Sequence, residues 1–222
     1  LWPGDPHGPI RLAAKMVGRW PSGAPLILHP DADPHPGEIH LEPANDFAYA
    51  RSDPHGLGCP VGAHIRRANP RDSLGPDELT ALASARRHRL LRRGRPYGDR
   101  IASRTVEDGK ARGLHFLCLN TDLERQFEFV QQAWINAPGF AGLEHEVDPL
   151  IGPQPSSGGR FSVPEEPLRC RARNVHSHVR VLGGTYAFLP GLRALRVLLS
   201  ATSEAPNEHV AASPRFGTHN RP

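Results

Sequence analysis

The stretch GCPVGAHIRRANPRD, Gly58 to Asp72, decides how the rest of the chain is read. It sets one histidine, His64, between a Gly/Pro/Cys-rich turn and a basic run that ends in Asn-Pro-Arg. The two small residues ahead of it, Gly62 and Ala63, would let a flat group approach the backbone closely. Ile65, immediately after it, is apolar. Two readings stand on these residues alone. A lone histidine beside apolar neighbours is ordinarily a satisfied core or surface residue. A histidine in a mostly dry wall, with arginines nearby for anionic carboxylates, also suits the axial ligand of a haem iron.

Composition bounds the classes that can hold such a site. A chain of 222 residues suits one large domain or two small ones. The 24 prolines and 22 glycines make it loop-rich, yet 38% hydrophobic residues still allow a core. Three widely spaced cysteines, Cys59, Cys118 and Cys170, form neither a disulfide framework nor a zinc pattern, which favours a reducing, cytoplasmic compartment. A formal charge of +4 permits contact with anions without demanding nucleic acid. No apolar run is long enough to span a bilayer, and the start does not read as a signal peptide. The chain opens on Leu1 rather than methionine, so the expectation is a piece whose start, with any signal, is missing.

Outward from the central stretch, IRLAAKMVGRW (10–20) has helical apolar spacing, and Pro21-Ser22-Gly23 stops it. Residues 24–57 read as a long loop. Its His29, Asp31, Asp33, His35 and His40 match no established metal-ligand spacing. Pro76-Asp77-Glu78 starts a helix, and Leu79, Leu82 and Ala85 continue it. The run RRHRLLRRGR, Arg86 to Arg95, holds six arginines in ten residues. It reads as a solvated basic face, as a nucleic-acid patch without interleaved aromatics, or as a source of one or two arginines turned toward an oxygen ligand. Gly94 to Gly98 reads as a turn. GLHFLCLN (113–120) reads as a buried strand, and a helix follows over 122–136 with Phe127, Val130 and Trp134 on one face. Residues 140–168 read as a Pro/Gly-rich connection, Val179 to Leu189 as a strand, and GLRALRVLL after Pro190 as a helix. His176 and His178 share a face of that region without a third ligand. The polar residues 201–222 read as a mobile tail.

Several of these segments, taken in order, resemble one family. LAAKMVGRWPSGAPL, GCPVGAHIRRANPRD, HRLLRRGRPYG, GLHFLCLNTDLERQFEFVQQAWIN, DPLIG and GGTYAFLPGLRALRVLL look like the dye-decolourising (DyP-type) haem peroxidases. The resemblance covers nearly all of this chain but only the C-terminal part of a full family member. It implies an α+β fold, a ferredoxin-like haem-binding half of the two that the family has, with long Pro/Gly-rich loops. The expected domain is 1–200, followed by the tail 201–222. Without the N-terminal half, exposed apolar surface would promote self-association into a homo-oligomer.

The resemblance also implies the chemistry. The cofactor is haem b, iron protoporphyrin IX, with His64 as its proximal ligand. Arg92, fixed by its spacing to Pro96-Tyr97-Gly98, falls at the distal arginine, with Arg93 as the neighbour open to confusion. A carboxylate is expected behind the proximal histidine, with Glu128 the first candidate and Glu124, one turn away, the second. The partners are hydrogen peroxide and bulky organic donors such as dyes, with no nucleic acid and no membrane. One departure is visible: the family's GxxDG motif, whose aspartate helps move the peroxide proton, does not occur in this chain. Three hypotheses follow, namely a peroxidase, a haem-binding fragment or remnant with little turnover, and a nucleic-acid-binding module using Arg86–Arg95.

Overall fold

The computed structural model describes residues 2, 4–39, 44–101 and 108–203. The chain divides into two compact units, Leu1–Arg180 and Val181–Pro222. The architecture is α+β, and the described strands form two separate two-stranded antiparallel sheets.

In the first unit, helix α1 (Gly8–Val17) ends at Gly18, which takes φ 96° and donates its N–H to the Ala14 carbonyl. This left-handed cap stops the helix before the expected end at Trp20, because a residue without Cβ is at ease there. The site has a second demand for glycine: a Cβ on Gly18 would lie 2.4 Å from Ile65 Cγ1. The end of α1 is thereby brought against the short helix α2 (His64–Ala68), which begins at the central histidine.

Three apolar clusters form the core of this unit, and two of them include α2 residues. Ala14, Trp20, Ala24, Leu26, Tyr49, Cys59 and Ala63 form the first, with Ile65 packed on it. Val130, Trp134, Ile135 and Phe140 form the second, with Val61, Ala68 and Leu74 on its edge. Phe161, Val163 and Val175 form the third, against Leu12 and Met16 of α1. One end of α2 therefore packs into the first cluster and the other into the second, which fixes the helix on both sides.

Helix α3 (Glu78–Arg87) starts where Pro76-Asp77-Glu78 placed it, with the Asp77 side chain accepting the Thr80 N–H at 2.9 Å. Strand β1 (Leu91–Tyr97) then pairs antiparallel with β2 (Gly113–Leu119). Two expectations are corrected here. Gly94 to Gly98 is largely strand rather than turn, since the cross-strand partners Phe116, His115 and Leu114 hold Gly94, Arg95 and Pro96 in register. The β2 residues, expected to be buried, are mostly exposed.

The expected helix at 122–136 forms, but its turns are wide, over Glu124–Glu128 and Val130–Ile135, with bonds such as Glu128 N–H to the Leu123 carbonyl at 2.9 Å. Val130, Trp134 and Ile135 are its buried face. The connection 140–168 contains strand β3 (Gly159–Val163), which pairs with β4 (Cys170–Val175); neither strand was expected.

In the second unit, helix α4 (Leu192–Ser203) matches the helix expected after Pro190. The expected strand at Val179 to Leu189, which spans the unit boundary, does not form: these residues have no ladder partner among the described residues. Residues 204–222, most of the expected tail, lie outside the described residues, as does His40. No helix among the described residues is long and apolar enough to cross a membrane.

Candidate functional site

His64 is the first residue of α2, and its ring meets a carboxylate. Nδ1 lies 2.9 Å from Oδ2 of Asp148, whose side chain is fully buried while that of His64 is 27% exposed. The carboxylate behind the histidine is therefore Asp148, and neither Glu128 nor Glu124. Both glutamates sit on the wide-turned helix, Glu124 exposed and Glu128 half-buried.

Asp148 is held from every side. Its other oxygen, Oδ1, accepts the N–H groups of Leu150 (2.9 Å) and Ile151 (3.0 Å). Its own N–H donates to the Ile135 carbonyl at 2.9 Å, and its carbonyl accepts from Gln154 Nε2 and from the Gly152 N–H. Pro149, between the aspartate and its two amide donors, has no N–H to compete. The turn closes on Gly152 because a Cβ there would lie 2.6 Å from the Asp148 carbonyl oxygen. Burial pushes the Asp148 carboxyl upward, but the His64 hydrogen bond and charge and the Ile151 and Leu150 amides outweigh it, and the group ends below its ordinary range. It is an anion at neutral pH and accepts from its partners.

That arrangement selects the tautomer. A carboxylate can only accept, so Nδ1 carries a proton and donates it, and in the neutral ring Nε2 is then the lone-pair nitrogen. Among the described residues no hydrogen bond to Nε2 appears, and the ring keeps partial exposure. This donor set fits an axial ligand to a haem iron: a neutral imidazole, oriented and made more basic by a buried carboxylate.

The neighbouring residues serve packing. A Cβ on Gly62 would meet Leu143 Cδ1 at 3.3 Å and Phe161 Cε2 at 3.5 Å, so its smallness admits side chains rather than a flat group. Arg66 and Arg67 are both buried, and neither is presented to an outside carboxylate. Arg66 Nη1 donates to Asp53 Oδ2 (3.2 Å) and to the Cys59 carbonyl (2.8 Å), while Asp53 also accepts the Cys59 N–H at 2.8 Å. Lys15 Nζ donates to the Leu57 and Gly58 carbonyls. These contacts fix the loop 53–59 that leads into His64. Asp72 closes the motif by accepting the N–H groups of Tyr49 and Ala50.

Arg92 stands apart from this centre, exposed on β1 opposite Cys118. Alternation along the strand puts it on the same face as Phe116 and Leu114, and puts Arg93 on the other face with Leu117. The Phe116 ring lies 6.2 Å from that of Phe127, so the Arg92 face is the one toward the wide-turned helix. Of the residues expected at the site, the structure joins His64 to a carboxylate, but to one that sequence reasoning had not singled out. The signal was available in DPLIG, where Asp-Pro is a turn opener and Gly152 a turn closer.

Elsewhere, Asp33 accepts from the Ser22 hydroxyl and from the Ser22 and His35 amides, which closes its loop. Among the described residues no group of three or more His, Cys, Asp or Glu side chains could hold a metal ion.

Known proteins resemble this chain over most of its length. The multifunctional dye peroxidase DyP2 of Amycolatopsis sp. is 36% identical over 201 residues, which are 85% of this chain and 41% of the relative. The dye-decolorizing peroxidase AauDyP1 of Auricularia auricula-judae is 33% identical over 214 residues, 86% of this chain and 40% of the relative. Among solved structures, a DyP-type peroxidase of Anabaena sp. superposes with a TM-score of 0.61 at 30% identity, covering 74% of this chain and 34% of that one. No family model matches the chain. The chain spans about two fifths of the length of the curated relatives it matches.

Proposed function

The chain belongs to the dye-decolourising peroxidase family, and we propose that it forms the haem-binding part of a peroxidase that uses hydrogen peroxide to oxidise bulky organic donors such as dyes. The observation that carries the reading is the buried carboxylate of Asp148 on Nδ1 of His64, which leaves Nε2 for a metal. In this reading haem b supplies the redox chemistry, and the protein supplies ligation, orientation and charge.

His64 is the proximal ligand. Asp148 takes the role first sought at Glu128: it fixes the ring and raises the basicity of the ligating nitrogen. Arg92 is the distal cation, offering fixed positive charge where a peroxide oxygen becomes negative. A guanidinium stays protonated in this range, so it stabilises charge and does not act as the base. We assign the domain to residues 1–200, which hold every segment of the family resemblance. The three cysteines are unpaired, which supports a cytoplasmic setting.

The test is a titration of the chain with haem b, followed by peroxide-dependent oxidation of an anthraquinone dye. The chain is expected to give a Soret band of histidine ligation at one haem per chain, and His64→Ala to lose it. An unchanged band and axial-ligand signature in purified His64→Ala would refute the assignment.

A further inference from the structure

We infer that Arg67 is a positioning residue for the His64–Asp148 couple, clamping both ends of the strap that delivers Asp148 to the histidine ring. The geometric part of this inference stands on the protein alone. Its consequence at a bound iron rests on the haem reading above.

The strap is the stretch between the end of the wide-turned helix and Asp148. One guanidinium reaches both of its ends. Arg67 Nη1 donates to the carbonyls of Trp134 (2.7 Å), Ala137 (3.1 Å) and, at the limit, Ile135 (3.5 Å), where the strap departs. Nη2 donates to the Glu146 carbonyl at 2.5 Å, two residues before Asp148, where the strap returns. The Asp148 N–H then donates to the Ile135 carbonyl at 2.9 Å, so the returning end also bonds to the departing one.

Arg67 and His64 lie three apart in α2, and residues at that spacing share a helix face. A single short helix thus presents the ring that receives Asp148 and the fork that holds its strap. The strap has little shape of its own. Ala141 and His145 take φ of 48° and 56°, in the left-handed region that L residues avoid. Its one short helical turn, Phe140–Gly142, contains Ala141. Within the strap the Leu143 N–H donates to the Phe140 carbonyl (2.9 Å), and the Glu146 N–H reaches the Pro138 carbonyl at 3.3 Å. Of the side chains outside it, Arg67 is the one that bonds to departure and return together among the described residues. The Glu146 side chain ties the returning end separately, accepting from the Ser162 N–H (2.9 Å) and hydroxyl (2.5 Å). That contact fixes the strap to β3 and not to α2.

Arg67 is fully buried, with its guanidinium 4.9 Å from the Phe140 ring centre. A lysine at this position would keep the charge but not the planar fork that serves two directions at once. A purely structural role would lower stability when Arg67 is replaced and leave the His64 ring as it was. A positioning role moves the ring's hydrogen bond as well.

The experiment compares Arg67→Lys, Asp148→Asn, their double variant and Val175→Ala, the last a packing loss in the β3–β4 cluster away from the strap. The first readout is nitrogen-15 NMR of His64 in the full chain without haem, which reports the proton on Nδ1. Asp148→Asn defines the full displacement. Arg67→Lys is expected to reach most of it, the double variant to add nothing to Asp148→Asn, and Val175→Ala to leave the signal in place. An Arg67→Lys signal equal to wild type would overturn the inference.

The second readout is the iron–histidine stretching band of the haem-loaded ferrous chain. It is expected to shift the same way in Arg67→Lys and Asp148→Asn. A band that fails to respond even to Asp148→Asn would sink the haem-ligand reading while the first readout still decides on Arg67. Should Arg67→Lys not fold, hydrogen exchange in the wild-type chain decides instead. The Arg67 Nη protons and the Asp148 amide are then expected to open together, and an Asp148 amide exchanging far faster than a protected guanidinium would overturn the clamp.

Discussion

Two pairs of adjacent arginines occur in this chain, and they meet opposite fates. Arg66-Arg67 follows His64 and is buried, 2% and 0% exposed, with every donation directed at protein carbonyls or at Asp53. Arg92-Arg93 lies on β1 and is exposed, one residue on each face of a two-stranded hairpin. The difference comes from what surrounds each pair. Around α2, two apolar clusters take the guanidinium groups out of water, and inward carbonyls receive both terminal nitrogens of each, which offsets much of the cost of burying the charge, although Arg67 Nε is left without a partner. Burial pushes Arg67 down to about 10, against the raising influence of Asp148 and Glu146, and it still carries its charge at neutral pH. Among the described residues no such carbonyls converge on Arg92 or Arg93. The buried pair therefore fixes the surroundings of His64, and the exposed pair stays in solvent.

The comparison breaks first at Arg92. If the exposed pair faces a distal oxygen, Arg92→Leu leaves haem content unchanged and slows the reaction with peroxide by roughly 100- to 1000-fold, about 3–4 kcal/mol in the transition state. Stopped-flow mixing with peroxide measures this. Because Arg92 and Arg93 point to opposite faces, they cannot replace each other, and Arg93→Leu should leave the rate near wild type. The reverse pattern would transfer the role to Arg93.

On the proximal side the expected effect is smaller. Asp148→Asn keeps the shape of the side chain but removes the anion that selects the Nδ1–H tautomer. Loss of such an outer partner typically costs 10- to 100-fold in affinity or activity. Haem titration and dye oxidation by Asp148→Asn should fall in that range, while Glu128→Gln stays close to wild type. A larger loss in Glu128→Gln than in Asp148→Asn would restore the sequence-based choice and set aside the contact seen here.

What the sequence made legible follows the same division. His64 and its turn stand out because a Gly/Pro-punctuated stretch with one histidine is a local signal, and α1, α3 and α4 show helical spacing with identifiable starts. Asp148 was passed over because its link to His64 spans 84 residues, and no local pattern records a contact of that length. Gly94 to Gly98 reads as a turn because Gly94 and Pro96 are strong punctuators, and only the register of β1 with β2 overrides them. Strands β3 (GRFSV) and β4 (CRARNV) are short and rich in arginine, so their alternation does not stand out. Burial of Arg66 and Arg67 could not be read at all. The same dipeptide sits in solvent at Arg92-Arg93, and the carbonyls that receive the buried pair come from remote loops.

The cysteines sharpen the comparison through pH. Burial pushes the Cys59 thiol up to about 12, against the lowering influence of Arg66. A folded value above the unfolded one means that the folded state keeps its proton longer. The stabilisation is therefore complete below the unfolded value near 9 and is lost as pH rises from there toward 12. Between pH 9 and 10 the stability of the wild-type chain should fall relative to that of Cys59→Ala by about 1 kcal/mol. Comparing the two chains cancels the groups that do not sense Cys59; Lys15 and Tyr49 do sense its charge and enter the difference as part of the same buried cluster. Urea unfolding at pH 8, 9 and 10 reads the difference. Parallel curves would mean that Cys59 meets water in the folded state, and that the wall around α2 is less dry than its packing indicates.

The smallest expected effect concerns how each arginine pair is anchored. Helix α2 has no side-chain cap, and Ala63 precedes it, so burial and the Arg66 and Arg67 bonds hold it. Helix α3, which leads into the hairpin, is exposed over most of its surface. It relies on local chemistry: Asp77 accepts both the Thr80 N–H (2.9 Å) and the Thr80 hydroxyl (2.7 Å) at its start. Removing a cap exposes the first turn to fraying, and the cost stays local when little tertiary packing depends on that turn. Asp77→Ala is therefore expected to speed hydrogen exchange at the first amides of α3 roughly fivefold. Exchange at the α2 amides and the His64–Asp148 contact should be unchanged. Faster exchange in both helices would show that the hairpin region and the buried centre open as one cooperative unit, and the contrast between the two arginine pairs would then be one of position only, not of stability.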